Sequence, residues 1–150
     1  MSATAVNNLI SIFFEDNTVN RSSPIRVKSL DHVTIVVKDL EATKRFYVDV
    51  LGMDEVPRPG FTFSGQWFQA GPTLIHTILE YEGSSRAGVA ACGNTRGHHF
   101  AFLVDDCHAA AQRIAELGVP FVSPPKKRPD GAVQLFVNDP DGHLVELCSN

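Results

Sequence analysis

The sequence predicts an α+β fold of two tandem βαβββ modules, and three observations support this prediction. Residues 31–53 (DHVTIVVKDLEATKRFYVDVLGM) and 98–119 (HHFAFLVDDCHAAAQRIAELGV) share one pattern: a histidine, an apolar strand, an aspartate, a helix and a Leu-Gly pair. After each helix, short strand-like runs are separated by glycine and proline. The 150 residues are also enough to bury a core without disulfide bonds or a partner.

The repeat sets the expected domain boundaries. We expect an N-terminal arm at 1–28 and a single domain at 29–149, made of module one at about 29–82, a linker at 83–96 and module two at about 97–149. The apolar run 9–14 is too short to span a bilayer and follows no basic segment, so it fits neither a membrane helix nor a signal peptide. The arm is therefore either docked on the domain or a subunit partner, or partly ordered.

Module one is expected to open with a strand at 32–37 and a helix. Asp39 is placed as the helix N-cap, and Gly52 suits the left-handed position that ends a helix. The apolar side chains of this helix share one stripe: Leu40, Phe46, Tyr47, Val50 and Leu51. Three strands are expected to follow, at 51–57, 66–69 and 73–81.

Module two repeats this order, with Asp106 as the N-cap and Gly118 at the helix end. Its helical stripe is Ala110, Ile114 and Leu117, and its later strands are expected at 119–122, 133–137 and 143–148. We expect Lys126–Arg128 to form a solvated turn. His108 and His143 are expected to be exposed, at a helix start and in a turn.

The composition argues against several classes of partner and compartment. A net charge of -4 and a pI near 5.8 disfavour nucleic acids and acidic membranes, because both require a concentrated basic surface. The three cysteines are odd in number and have no CxxC spacing, which favours a reducing compartment. We therefore expect a cytoplasmic protein.

The two neighbouring histidines at 98–99 must face opposite sides of their strand, because side chains alternate along a strand. The helix needs a broad apolar face, which Phe100 and Phe102 provide, so His98 belongs to the helix side. His99 then lies on the opposite face, at the position of the repeat that His32 occupies in module one. Repeat-equivalent placement on one face makes His32 and His99 candidate ligands or catalytic groups rather than structural histidines.

The repeat, together with the closing segment DPDGHLVEL at 139–147, resembles the vicinal oxygen chelate superfamily, which includes glyoxalase I, extradiol dioxygenases, fosfomycin-modifying enzymes and bleomycin-resistance proteins. The resemblance covers about 29–149. It implies that the sheets of the two modules enclose a metal-binding cleft that holds one divalent ion of Zn, Ni, Co, Fe or Mn. The implied metal ligands are His32, His76, His99 and Glu146. The resemblance also implies a homodimer and a small-molecule substrate.

Simpler explanations remain open for some of these residues. His76 depends most on the resemblance, and a structural histidine is the alternative. Glu146 lies between Val145 and Leu147, where an unpaired carboxylate is costly unless it faces solvent or a cation. The residues that bind substrate are unknown, and four aromatic residues either line a cleft or belong to the core: Phe61, Phe63, Trp67 and Phe68.

Within the superfamily, we expect a lyase or isomerase in which the metal stabilises an oxyanion and Glu146 moves a proton. The alternatives are a ring-cleaving, extradiol-type dioxygenase and a metal-free binding protein of the bleomycin-resistance type. Three residues depart from family patterns. Val36 replaces an arginine and Glu80 an asparagine that bind glutathione in bacterial glyoxalase I, while Phe136 replaces the catalytic tyrosine of the extradiol dioxygenases.

Overall fold

The computed structural model describes residues 25–88 and 94–150, and it confirms the α+β fold of two βαβββ modules. Module one contains β1 (His32–Val37), α1 (Leu40–Lys44), a π-helical segment (Arg45–Val50), β2 (Asp54–Val56), β3 (Gly65–Ala70) and β4 (Thr73–Leu79). Module two contains β5 (Phe100–Leu103), α2 (Cys107–Glu116), β6 (Phe121–Lys127), β7 (Val133–Asn138) and β8 (Leu144–Ser149). Most of the predicted arm (1–24) and residues 89–93 of the predicted linker lie outside the described residues, so the domain boundaries stay a prediction.

Each module folds into its own four-stranded sheet. The strand orders are β1-β4-β3-β2 and β5-β8-β7-β6. In each sheet the first strand pairs in parallel with the last, and the remaining pairs are antiparallel. β1 and β5 are therefore edge strands with one neighbouring strand each in the described chain.

The helices begin where the sequence predicts. Asp39 accepts hydrogen bonds from the backbone N–H groups of Glu41 and Ala42, and Asp106 caps α2 in the same way. Gly52 follows the first helix with φ +72°. The π-helical continuation of α1 is not predicted by the sequence, and it brings Phe46 and Tyr47 into the core.

The core lies between each sheet and its helix. Ile35, Val37, Phe68 and Ile75 point to the helix side of the first sheet, and the opposite face carries His32 and other exposed side chains. The core of the second sheet is made by Leu135, Val137, Val145 and Leu147 with Ile114 of α2. One face of each sheet is thus left for polar groups.

The modules meet at the turn between β7 and β8. The Tyr47 hydroxyl donates to Asp139 Oδ2 at 3.1 Å, and the Lys38 amide lies 3.2 Å from the Asp141 carboxylate oxygens. The Gly88 amide donates to the Val36 carbonyl at 3.1 Å. Within residues 25–88 and 94–150, no helix is long and apolar enough to cross a membrane.

The structure contradicts the expectation that His143 is exposed. His143 is buried, with 8% of its surface exposed, rather than exposed in a turn. Its ring Nδ1 lies 2.8 Å from Oδ2 of Asp139, which is itself 5% exposed. The buried carboxylate supplies the polar partner that lets the histidine leave water.

The expectation of a solvated turn at Lys126–Arg128 is also wrong. Lys126 and Lys127 belong to β6 and pair with Gln134 and Val133 of β7. β6 is an edge strand with register shifts, where the two prolines that precede the lysines are tolerated. At the end of α2, Leu117 remains 38% exposed rather than joining the buried stripe.

Candidate metal centre

His32 and His76 form the first half of the candidate centre. β1 and β4 are parallel neighbours in which Thr34 lies opposite His76, so both histidines occupy the face turned away from the helix. Their rings stack with centroids 4.1 Å apart and planes inclined by 15°. The Asp31 carboxylate lies 2.7 Å from His32 Nδ1, which leaves Nε2 of that ring available.

His76 has an unsatisfied buried nitrogen. Its Nε2 is shielded from solvent and has no hydrogen-bond partner. Burial lowers the pKa of the His76 imidazole, and the positive charges of His32 and Arg58 lower it further, against an opposing effect of Asp31. The ring is therefore held neutral, which is the form that binds metal ions.

His99 and Glu146 form the second half. His99 immediately precedes β5, and its Nε2 lies 3.0 Å from Glu146 Oε2. Glu146 is on β8, opposite Ala101 of β5 and Phe136 of β7, and is 5% exposed. His98 and His99 are both exposed, and of the two it is His99 that contacts the carboxylate.

Both ring nitrogens of His99 face oxygen atoms, Nδ1 the Gly97 carbonyl and Nε2 the Glu146 carboxylate. Its Nδ1 lies 2.9 Å from the Gly97 carbonyl, which can only accept, so Nδ1 carries a proton. In a neutral ring, Nε2 then presents a lone pair to the Glu146 carboxylate. The contact is favourable only if a proton or a metal ion lies between the two groups.

Arg128 and Phe136 complete the surroundings of Glu146. Glu146 Oε1 is buried without a hydrogen-bond partner, and Arg128 Nη1 lies 3.6 Å from it, too far for a hydrogen bond. Arg128 is held by an ion pair with Asp130. Phe136 places its ring edge-on to His99, with centroids 5.5 Å apart. The sequence gives no signal for the role of Arg128, because its contact with Glu146 depends on how β6 pairs with β7.

The structure brings the four predicted ligands together in two pairs, not in one set. Among the residues that the structure describes, no group of three or more His, Cys, Asp or Glu side chains lies close enough together to hold a metal ion. Each pair nevertheless contains one buried polar atom without a partner, Nε2 of His76 and Oε1 of Glu146. The donors are imidazole nitrogens and a carboxylate, the set that suits Zn, Ni, Co, Fe and Mn. The residues therefore fit a divalent metal ion if the two pairs face each other.

An apolar cavity of about 930 Å³ lies elsewhere between the modules. It is bordered by Val33 and Ile75 of module one and by Phe100, Phe102 and Ile114 of module two. His99 is the only one of the four candidate ligands on its lining. The cavity is thus distinct from the metal-binding cleft that the resemblance implies.

Comparison with known proteins identifies relatives of this chain. Glyoxylase I 4 of Arabidopsis thaliana is 27% identical over 131 residues, which cover 85% of this chain and 74% of that protein. Lactoylglutathione lyase of Salmonella typhimurium is 31% identical over 121 residues, 77% of this chain and 88% of the enzyme.

A solved structure shares the fold. It is a mutant of the fosfomycin resistance protein FosX from Listeria monocytogenes, complexed with Mn(II) and 1S,2S-dihydroxypropylphosphonic acid. It has a TM-score of 0.65 and 23% identity, with 83% of this chain and 94% of FosX covered. The model of one family matches residues 29–147, nearly the whole of both modules. The chain therefore belongs to the Glyoxalase/Bleomycin resistance protein/Dioxygenase superfamily.

Proposed function

We propose that this protein is a metal-dependent enzyme of the lyase or isomerase type, acting on a small substrate with vicinal carbonyl, hydroxyl or carboxylate oxygens. The observation that carries the proposal is the His99–Glu146 pair, in which an imidazole Nε2 and the Oε2 of a buried carboxylate, both metal-ligating groups, lie 3.0 Å apart. The named relatives support a lyase, since one of them is a lactoylglutathione lyase. The Mn(II) in the FosX complex supports a divalent ion.

Four residues would hold the ion: His32, His76, His99 and Glu146. When bound, the ion supplies Lewis-acid chemistry that stabilises a developing oxyanion on the substrate. His76 supports this role because its pKa is lowered and its Nε2 has no other partner. The donor set admits Zn, Ni, Co, Fe or Mn.

Glu146 is also the proposed general base. Its Oε2 faces His99, whereas its buried Oε1 has lone pairs with no hydrogen-bond donor. Oε1 can therefore accept a proton from the carbon next to the substrate carbonyl and return it to a neighbouring carbon. Phe136, 2% exposed and opposite Glu146 in the sheet, keeps water from that side of the carboxylate.

The complete site would be formed by two copies of the chain. The two ligand pairs lie on separate sheets, and β1 and β5 are edge strands of those sheets. Leu103 on β5 is 71% exposed, an unusual state for a large apolar side chain in a strand. In a homodimer, the His32–His76 pair of one copy would face the His99–Glu146 pair of the other. The partners are then a small molecule and a second copy, in the cytoplasm, with no nucleic acid or membrane.

Two measurements test the function. Protein purified without chelators is assayed for metal by mass spectrometry, and it is then supplied in D₂O with methylglyoxal and 2-mercaptoethanol, whose hemithioacetal has vicinal oxygens. The proposal expects near-stoichiometric metal and an oxygen-independent thioester product with solvent deuterium at the former ketone carbonyl carbon. Oxygen uptake with catechols would instead identify a dioxygenase. Protein that stays metal-free after reconstitution would identify a binding protein.

A further inference from the structure

Four aromatic side chains of module one form a cluster beside His76, and we call Phe61, Phe63, Trp67 and Tyr81 the aromatic wall. Phe61 stacks on Phe63 with centroids 5.2 Å apart and lies 6.2 Å from Trp67. Phe63 stacks on Tyr81 at 6.0 Å. Phe61 is 47% and Tyr81 50% exposed, whereas the neighbouring Phe68 is fully buried. The wall is therefore a surface on the non-helix side of the sheet and not part of the core.

The aromatic wall is continuous with the candidate ligands. Trp67 lies opposite His76 in the β3–β4 ladder, and their rings stack at 4.0 Å with planes inclined by only 6°. His76 in turn stacks on His32. A planar group bound against Trp67 or Phe61 would thus lie directly beside the ligand pair of module one.

The guanidinium of Arg58 packs against the aromatic wall and has no acidic partner among the described residues. The Arg58 guanidinium carbon lies 4.6 Å from the Phe61 ring centroid and 4.9 Å from that of Phe63. Arg58 Nη2 donates to the Phe63 carbonyl at 2.8 Å, which fixes the guanidinium in place. Among the described residues, no carboxylate forms an ion pair with Arg58. Its remaining N–H donors are available to a ligand, and the planar fork of arginine matches a carboxylate.

We propose that the substrate of this site is an aromatic acid, whose ring packs on the aromatic wall and whose anionic group pairs with Arg58. The reaction of such a substrate rests on the proposed metal-dependent function, but its binding does not. Aromatic faces favour stacked rings, and a guanidinium held against them favours an anion over a neutral group. Contact with the Phe61 and Phe63 rings and with the Phe63 carbonyl is what positions the Arg58 guanidinium for such a ligand.

The test uses Trp67, the single tryptophan of the chain, as its reporter. Metal-stripped and metal-loaded protein are titrated with 3-(4-nitrophenyl)propanoate and with the matching neutral amide, and quenching of tryptophan fluorescence is followed. Hexanoate is added as a ringless competitor. We expect saturable quenching in both forms of the protein, an affinity about tenfold higher for the acid than for the amide, and negligible displacement by hexanoate.

Variants of Arg58 test whether its charge causes the preference for the acid over the amide. Arg58→Gln should abolish the preference for acid over amide while ring binding remains, and Arg58→Lys should restore part of the preference. Arg45→Gln, which removes an exposed arginine from the π-helical segment, serves as the matched control and should leave both affinities unchanged.

Equal affinity for acid and amide in the unchanged protein, or a preference that survives Arg58→Gln, would overturn the proposal. The proposal would also be overturned if no probe quenches the fluorescence of Trp67, which is the result expected if a second copy of the chain covers the aromatic wall. Metal content is measured on the same samples. Protein that takes up no metal on reconstitution but prefers the acid would reject the proposed function alone, whereas metal-loaded protein without the preference would reject the aromatic-acid substrate alone.

Discussion

The hydroxyl of Tyr47, in the helix of module one, donates a hydrogen bond to the carboxylate of Asp139, in a turn of module two, over 3.1 Å. The same carboxylate oxygen lies 2.8 Å from His143 Nδ1, and Oδ1 accepts from the backbone amides of Asp141 and His143. The side chains of Tyr47, Asp139 and His143 are all buried. The bond fixes one module against the other, because it joins residues of both inside the protein.

Replacement of Tyr47 by phenylalanine should change how stability depends on pH. Burial, with the nearby charge of Asp139, raises the pKa of the Tyr47 hydroxyl well above 10. The folded chain keeps this proton at a pH where the unfolded chain loses it, so stability is fully present below about pH 10 and falls above it. Tyr47→Phe should lower the free energy of unfolding by about 1–2 kcal/mol at pH 7 and flatten this alkaline decline.

Urea denaturation at pH 7 and at pH 10 to 11 measures both effects. Tyr81→Phe, at the chain's other tyrosine and half exposed, is the matched control and should leave the alkaline decline in place. An alkaline decline that is unchanged in Tyr47→Phe would mean that another group causes it.

Of the two neighbouring histidines, we expect His99 to be required for metal binding and His98 not to be required. His99→Ala deletes the ring that contacts Glu146, so we expect metal affinity to fall by more than about 100-fold, beyond the usual cost of outer-shell changes. His98→Ala alters an exposed neighbour and should retain full metal content. Mass spectrometry of both variants after dialysis against a weak chelator decides the matter, and equal metal in the two would eliminate His99 as a ligand.

A mixture of two inactive variants should regain part of the metal if two chains share each site. His76→Ala damages the module-one pair and Glu146→Gln the module-two pair, so a mixed dimer contains one intact site and one doubly damaged site. Refolding the variants together should restore roughly a quarter of the wild-type metal, since about half of the dimers are mixed. If each chain builds its own site, the mixture will bind no more than the separate variants do.

Gly65 should resist substitution although it lies in a strand. A Cβ at this position would stand 2.1 Å from the Thr77 carbonyl oxygen of β4, a backbone atom that cannot move without disturbing the ladder that holds His76. Gly65→Ala should therefore cost about 1–3 kcal/mol in unfolding free energy. Gly60→Ala, where a Cβ meets nothing within 4 Å, should cost much less in the same denaturation experiment.

The fold was predictable because local signals agree with the tertiary structure. The repeated aspartate, apolar helix and Leu-Gly pair set both helices, and the caps at Asp39 and Asp106 form as expected. The π-helical segment at Arg45–Val50 was not predictable, since its one wider turn is imposed by packing rather than by a residue preference. The burial of His143 likewise depends on Asp139 and Tyr47, and the latter is distant in sequence.

The site was predictable only in part. Strand alternation separates His99 from His98, and the structure places His99 against Glu146. The pairing of the ligands, the approach of Arg128 to Glu146 and the position of Arg58 on two rings all depend on contacts between separate strands and loops. A linear pattern carries no information on these distances. Whether all four ligands bind one ion stays a prediction.

The separation of the two sheets has a consequence for how the chain is made. All strands of the first sheet come from residues 32–79, so β1 can complete its pairing with β4 before the strands of the second sheet have left the ribosome. During that interval the outer edge of β1 displays unpaired backbone groups to any extended segment nearby, including one from a neighbouring ribosome. A period of aggregation risk thus falls during translation, and slower elongation through module two would lengthen it.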